Sequence, residues 1–423
     1  MSRDQQPEDN HYHNNALETS ILFQPHSIWA LLFLLLVGIW FKFVSLIVVS
    51  AFLLFLFIII TAWKNYSLKH VKPDLQISRS RLFVDEEFEI NASVYNDKWL
   101  PLIWLEWSFP KNTGISLDNN ERGDYTIRFL WLLWFREVKW KLSGKALQRG
   151  VYDIGHVTLR SGDGFRFAET EQGYALDRKL YAYPKLMSVQ VPDFRPSMQW
   201  SAKGKQGGYI EDPLMVIGIR EYQAGDELRR FNWKASARTG KLLTNVYQPI
   251  VVEQLVVYID VKGYVIQEAA FEDPIKQREY VIEKREAFEW FLSVIASVVV
   301  KYKGQGISMG FTSNGLNCYE EKMPNILPSR DLTPFLDQLA QITQRMGVRN
   351  MLPLDEMRHQ GQLVMPVFIF CHHVNQEHYM WYQHHKSKLS QVSFYYEEET
   401  EYSKKLTAIA KPMTSFLSTL SIQ

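Results

Sequence analysis

A chain of 423 residues, 46% hydrophobic and 22% charged, is long enough for more than one folded domain beside any membrane segment. Lys plus Arg number 47 against 46 acids, a formal net charge of +1, which rules out a global electrostatic pull toward nucleic acid and leaves basic character to act locally. The two cysteines, Cys318 and Cys371, are too few for a disulfide scaffold or a structural zinc site and fit a reducing compartment.

Residues 1–23 form a polar tail in which Asp4, Glu8, Asp9 and Glu18 outweigh Arg3, the wrong charge for the start of a cleaved signal peptide. From Ser27 to Trp63 the chain is almost continuously apolar, broken by Lys42 with Gly38 just before it. A single helix of that length would overshoot the roughly 30 Å core of a bilayer. The run therefore reads as a transmembrane hairpin, its spans at about Gln24 to Phe41 and Phe43 to Trp63, with Trp29, Trp40 and Trp63 near the interfaces. Lys64, Lys69, Lys72, Arg79 and Arg81 follow the second span while the tip carries only Lys42, so both termini are expected in the cytoplasm. A buried apolar hairpin of a soluble protein fits the length and the near absence of charge less well.

From Leu75 to about Pro196 the pattern changes to short alternating runs, among them Glu87 to Tyr95, Leu102 to Phe109, Tyr125 to Phe135 and Glu137 to Leu142. Period-two runs rich in β-branched and aromatic residues, parted by Asn, Gly, Asp and Pro, predict the strands of a sandwich. Trp99, Trp104, Trp107, Trp131, Trp134 and Trp140 alternate with charges, which favours core packing over an aromatic surface for lipid headgroups or a partner. Lys203-Gly-Lys-Gln-Gly-Gly suits a flexible linker.

Between Arg220 and Lys241 lies a dense set of charges with Trp233 and two glycines. Gly225-Asp226 reads as a helix start, because an Asp side chain accepts first-turn N–H groups, and Gly240 reads as the stop. Within that frame Leu228, Phe231 and Ala235 would face a core, and Arg230, Lys234 and Arg238 would stack on one side. Two uses compete: a staple between domains, with acids neutralising the stripe and Arg229 lying over Trp233, or a docking face for an acidic protein surface or anionic headgroups. The staple is favoured, since Arg networks commonly specify one packing arrangement.

Leu255-Val-Val-Tyr-Ile-Asp260 predicts a buried parallel strand that delivers an acid to the sheet's C-terminal edge. A helix at Glu279 to Lys301 follows, then strands at Ile307 to Thr312, Leu363 to Cys371 and Gln391 to Tyr396, with helices at Leu332 to Arg345 and Gln376 to Lys388. That β-α-β order predicts a doubly wound α/β domain and makes the whole a multi-domain α+β chain.

Arg220-x-Tyr222-x-x-Gly225-Asp226-x-x-Arg229-x-x-x-Trp233-x-x-Ser236-Ala237-Arg238, after a hairpin and before a strand-helix domain, resembles the bacterial domain-of-unknown-function family fifty-eight. The resemblance is strong over Gly207 to Val265 and looser elsewhere. It implies a membrane-tethered protein with a von Willebrand A-like domain at 251–423, behind a signature segment at 207–250, working with a MoxR-type AAA+ ATPase. A von Willebrand A metal site resembles Asp-x-Ser-x-Ser, a carboxylate and two hydroxyls for magnesium. Here the positions are Asp260, Lys262 and Tyr264, and the second acid is replaced around Cys371-His372-His373. The Lys262 ammonium would repel a dication and pair with Asp260, so no metal and no cofactor is expected. His372, His373, His378, His384 and His385 crowd near Cys371, where a transition-metal site competes with solvated helix and loop histidines; their spacing matches no standard ligand pattern, and the solvated reading is favoured.

Catalytic signatures are scarce: there is no nucleophile elbow, phosphate-binding loop or His-Glu-x-x-His, and a Cys–His pair alone is weak ground. The chain is thus expected to be a non-enzymatic adaptor on the cytoplasmic face of the membrane. The alternative is an envelope enzyme of hydrolytic type with its soluble part outside.

Overall fold

The computed structural model describes residues 26–110, 113–118, 126–164, 167–192, 211–223, 226–249, 254–266, 274–363, 365–386 and 391–417. The polar tail, the Lys203 to Gly208 linker and Gly225 lie outside the described residues. The chain divides into two units, through Ala182 and from Tyr183 onward.

The first unit opens with α1 (Ser27–Trp40) and α2 (Val44–Ser67). Lys42 turns the chain between them at φ 56°, and Phe43 N–H donates to Gly38 O at 3.0 Å. A Cβ on Gly38 would stand 3.1 Å from Ile47, so the helices approach as closely as a glycine permits. With 24 residues α2 reaches about 36 Å and is long and apolar enough to cross a membrane. The 14 residues of α1 reach only about 21 Å, short of the span expected for residues 24–41.

Eleven strands follow: β1 (Val71–Ile77), β2 (Arg81–Phe83), β3 (Glu87–Asn96), β4 (Leu102–Ser108), β5 (Ile115–Leu117), β6 (Thr126–Leu132), β7 (Glu137–Ala146), β8 (Gly150–Asp153), β9 (His156–Gly162), β10 (Glu169–Ala175) and β11 (Lys179–Tyr183). They form two four-stranded sheets, ordered β1-β3-β7-β5 and β10-β9-β4-β6, and a three-stranded sheet β2-β11-β8. Leu75, Ile90 and Leu142 of the first sheet share one core with Leu105, Trp107 and Leu159 of the second. The alternation along β3 buries every second side chain, as a one-faced strand requires. Gly144 lies opposite Phe88 across β3 and β7, where a Cβ would stand 2.5 Å from the ring. Trp104 and Trp107 are buried, as expected of core tryptophans. Trp99, Trp131 and Trp134 are exposed, a correction to that expectation: Trp99 and Trp134 sit in turns at the strand ends, and Trp131, the penultimate residue of β6 at φ 69°, stands outward.

The second unit begins with β12 (Glu211–Glu221), α3 (Trp233–Thr239) and β13 (Leu243–Pro249), in which β12 and β13 pair as an antiparallel two-stranded ribbon. The elements β14 (Gln254–Ile259), α4 (Pro274–Gly304), β15 (Ser308–Ser313), β16 (Ile326–Ser329), α5 (Thr333–Gln341), α6 (Leu352–His359), β17 (Val367–His373), α7 (Gln376–His385), β18 (Val392–Glu398), α8 (Glu401–Lys405) and β19 (Ala410–Pro412) complete it. Its six-stranded sheet runs β16-β15-β14-β17-β18-β19, parallel throughout except for β16. Tyr258, Ile369 and Phe394 share one face with residues of α6 and α7. On the other face Phe311 meets Phe335 of α5, and Phe368 meets Tyr302 of α4. Helices therefore cover both faces, the layout that buries a parallel sheet.

Candidate functional site

In a doubly wound sheet the crevice opens where neighbouring connections diverge, at the carboxyl ends of the strands. Here β14 is that strand, with β15 on one side and β17 on the other. Every residue of β14 after Gln254 is buried, so the strand is fixed and its next residue, Asp260, is delivered to the crevice with its N–H donated to Phe370 O at 2.9 Å.

Four donors surround the buried Asp260 carboxylate. Oδ1 accepts from the Lys262 N–H at 2.9 Å and from Asn314 Nδ2 at 2.7 Å. Oδ2 accepts from Asn350 Nδ2 at 3.4 Å and lies 3.1 Å from His378 Nε2. His378 occupies the third position of α7, where Asn375 caps the helix and donates its own N–H to His378 Nδ1 at 3.2 Å. That bond makes Nδ1 the acceptor, so in the neutral ring the hydrogen sits on Nε2 and points at Asp260. Burial works to raise the Asp260 pKa, but the bonds from His378, the Lys262 backbone and Asn314 outweigh it and hold the carboxyl below its ordinary value. A carboxylate has about four lone-pair positions, and all four are taken.

The two flanking positions are engaged elsewhere. Lys262 sends its ammonium to Glu377 at 2.9 Å, not to Asp260 as expected; only its backbone serves the aspartate. That ion pair is the chief reason the Glu377 carboxyl titrates low. Tyr264 is buried and donates its hydroxyl to Glu397 Oε2 at 2.6 Å, which also meets His372 Nδ1 at 3.1 Å. Burial works against the Glu397 charge, yet the His372 and Tyr264 bonds bring its pKa below the usual carboxylate range. Gly263 is obligatory between them, since a Cβ would stand 2.4 Å from the Cβ of His372.

The histidines correct a second expectation. His378 is fully buried, His385 is buried with Nε2 at 3.3 Å from Asp355, and His372 is all but buried, so they are structural partners of acids rather than solvated side chains. Cys371 lies in the core with its thiol pKa pushed well up by burial, the reverse of what a nucleophile needs. The donor set does not fit a cation: the serine positions are filled by a salt-bridged amine and a buried phenol, and the acid is saturated by hydrogen-bond donors. Among the described residues no group of three or more His, Cys, Asp or Glu side chains is arranged to hold a metal ion. Sequence reading missed Asn314 and Asn350, and it placed His378 among solvated histidines instead of at Asp260. Asn314 was findable as the residue just past a strand's carboxyl end, and His378 as the third residue after a capping Asn.

The signature segment is a separate feature, built on the β12–β13 ribbon. Arg220, the penultimate residue of β12, pairs with Asp226 at 2.6 Å, while the Gln223 N–H donates to the other Asp226 oxygen at 3.0 Å. Asp226 thus closes a turn and does not start a helix. Residues Leu228–Arg230 form a single tight turn, and the helix starts later, capped by Asn232, whose Oδ1 accepts from Ala235 N–H at 2.9 Å. The delay comes from the ribbon: Phe231 bridges to Thr244, and the Asn232 N–H donates to Leu243 O at 2.9 Å, which keeps both extended. Gly240 is the stop, at φ 69°.

The break separates Arg230 from the helix that carries Lys234 and Arg238, so no stack of three cations forms. Leu228 is 72% exposed, contrary to a core-facing role, and Arg229 turns to Glu227 rather than to Trp233. Trp233 is 73% exposed on its outer side and meets Phe231 at 4.6 Å between centroids, and Phe231 in turn meets Tyr222. Ser236 Oγ accepts from Leu243 N–H at 2.9 Å, tying α3 to β13. Lys241 pairs with Glu221 across the ribbon at 2.7 Å. The segment therefore neutralises itself locally and leaves Leu228, Trp233, Lys234 and Arg238 outward.

No known family profile matches the chain. It is 22% identical over 267 residues to the uncharacterized protein YeaD of Bacillus subtilis (strain 168), covering 63% of this chain and 60% of that protein, less than two thirds of the relative's length. Among solved structures, the CARDB domain of PF1109 from Pyrococcus furiosus aligns over 27% of this chain and 90% of its own at 9% identity and TM-score 0.17. An exo-β-N-acetylglucosaminidase from Vibrio harveyi aligns over 72% of this chain and 57% of its own at 9% identity and TM-score 0.20. Likenesses at these scores carry no argument about fold or activity.

Proposed function

We propose that the chain is a membrane-anchored, non-enzymatic adaptor whose outward face between Arg220 and Lys241 captures a MoxR-type AAA+ ATPase at the cytoplasmic surface. In this reading the helical hairpin crosses the bilayer twice and the C-terminal unit is a von Willebrand A-like domain that has given up its cation. Support for the domain comes from the strand order, with one antiparallel edge and Asp260 at the point of divergence. Support for the adaptor role comes from the switch point, where each residue that would serve chemistry is already bound to another side chain.

One observation carries the docking role over the staple: Leu228, Trp233, Lys234 and Arg238 stand exposed on a frame whose own charges are already paired. An exposed tryptophan beside cations that have no acid partner among the described residues is the kind of anchor that dominates binding to an acidic protein surface. The experiment is capture of purified ATPase by the full-length detergent-solubilised chain, comparing wild type with Trp233→Ala and Arg238→Ala. Both variants should fold with wild-type midpoints and lose capture, Arg238→Ala most strongly at low salt. Unchanged capture by the double variant would refute the docking face.

A further inference from the structure

The end of the sandwich nearest the close of α2 carries aromatic rings that its core does not use. Trp99 is 77% and Trp131 70% exposed, and Trp134 and Phe135 are half exposed, whereas Trp107 of the same unit is fully buried. Trp99 and Trp134 stack at 6.0 Å between centroids. They occupy two adjoining turns, residues 97–101 between β3 and β4 and residues 133–136 between β6 and β7. Asn96 laces the turns together, its Nδ2 donating to Leu100 O at 3.0 Å and Leu133 O at 3.1 Å, and its N–H to Arg136 O at 3.0 Å.

The same turns grip the end of the apolar helix. Lys98 Nζ donates to the carbonyls of Ser67 at 2.5 Å and Lys69 at 2.8 Å, and the Asp97 N–H donates to His70 O at 3.0 Å. Lys72 pairs with Asp97 at 2.7 Å. Tyr66, exposed on the last turn of α2, has the Lys69 ammonium 4.5 Å from its ring centre, which extends the mixture of rings and cations to the helix itself. Aromatic rings with a polar edge prefer the headgroup layer of a bilayer, and lysines there bury their stems while the charge stays wet.

We propose that this end of the sandwich is a second membrane contact, with Trp99, Trp131, Trp134 and Phe135 seated in the headgroup layer of the bilayer that α2 crosses. It rests on the reading of α2 as a membrane span. Lipid is the occupant because the first turn is bound directly to the Ser67 carbonyl that ends that helix and to those of Lys69 and His70 just after it, and Asn96 ties the second turn to the first, which places both where the span leaves the hydrocarbon.

The test uses the full chain with Cys318→Ser, reconstituted in vesicles of phosphatidylcholine and phosphatidylglycerol, and a polarity-sensitive thiol dye at one site per sample. The sites are Trp99→Cys, Trp134→Cys, Phe55→Cys within α2, and Glu87→Cys at the opposite end of β3; buried Cys371 stays unlabelled. Dyes at positions 99 and 134 should shift to the blue and be quenched most by lipids brominated near the headgroup. The dye at 55 should be quenched most by lipids brominated deep in the chain, and the dye at 87 should show neither effect. Quenching at 55 with none at 99 and 134 would overturn the second contact and leave the span standing. An unquenched dye at 55 would remove the span and this contact together, and quenching at 87 equal to that at 99 would overturn the contact as non-specific adhesion.

Discussion

Asp260 is buried with four donors around it, so its removal strands His378, Asn314 and Asn350 without their acceptor. Asp260→Ala should cost about 3–5 kcal/mol, because it strands several buried donors at about 1–3 kcal/mol each, and His378→Ala, which leaves the buried carboxylate short of a donor, should cost a comparable amount. The two losses should not add, since each removes the same contact, and a double-mutant cycle in denaturant measures the shortfall. A loss under about 1 kcal/mol for Asp260→Ala would contradict the saturated pair. Acid should show the same bond. The folded Asp260 pKa lies below its ordinary 3.8, so the stabilisation is whole above that value and is lost as pH falls through the lower folded one. His373 acts at milder pH. Burial, with His372 beside it, pushes its pKa below 6.5, so on acidification below 6.5 the unfolded chain takes up a proton that the folded chain resists, and stability falls. Thermal melts from pH 7 to pH 3 should therefore decline in two stages. Asp260→Asn should shrink the lower stage, to which Glu377 and Glu397 also contribute, and His373→Asn the upper.

At the scale of elements, α3 hangs on a single cap and one glycine. Asn232→Ala should cost about 1 kcal/mol, confined to residues 233–239 and read as faster amide exchange there with the global midpoint unchanged. Gly240→Ala should cost a similar amount, because a Cβ is strained at φ 69°. Gly240 was legible from sequence because the demand on its backbone is local. The true cap was not, because Asp226 and Asn232 are equally good capping types and the choice between them is made by β13 through Phe231 and Thr244. Strands β3, β4 and β7 were legible by their alternation. The short antiparallel β16 carries no period to read and is defined by its pairing with β15. Trp99 and Trp107 look alike in sequence although one falls in a turn and the other on a strand, and Trp131 is outward even on β6, so what decides is the packing around each ring. The Asp260 position was legible as a strand end, but His378 reaches it from a helix far along the chain, a proximity that only the sheet order creates.

Over the whole molecule, an apolar helix of 24 residues predicts that the chain stays with membranes through high-salt and alkaline washing and leaves them in detergent. Recovery in the aqueous fraction without detergent would contradict it. Sidedness can be read at one residue: Cys318 is exposed and Cys371 buried, so under the cytoplasmic orientation proposed above an impermeant thiol reagent should spare Cys318 in intact cells and modify it after lysis, whereas Cys371 should need denaturation. Only residues 68–70 separate α2 from β1, and Lys98 bolts that junction to the sandwich. The joint leaves no slack for a swivel. If α2 crosses a bilayer, its apolar part, Val44 to Trp63, reaches about 30 Å and matches a roughly 30 Å hydrocarbon core. A thinner bilayer would make the helix lean, and the sandwich would swing with it like the head of a lever, making lipid thickness a mechanical input to everything the first unit carries.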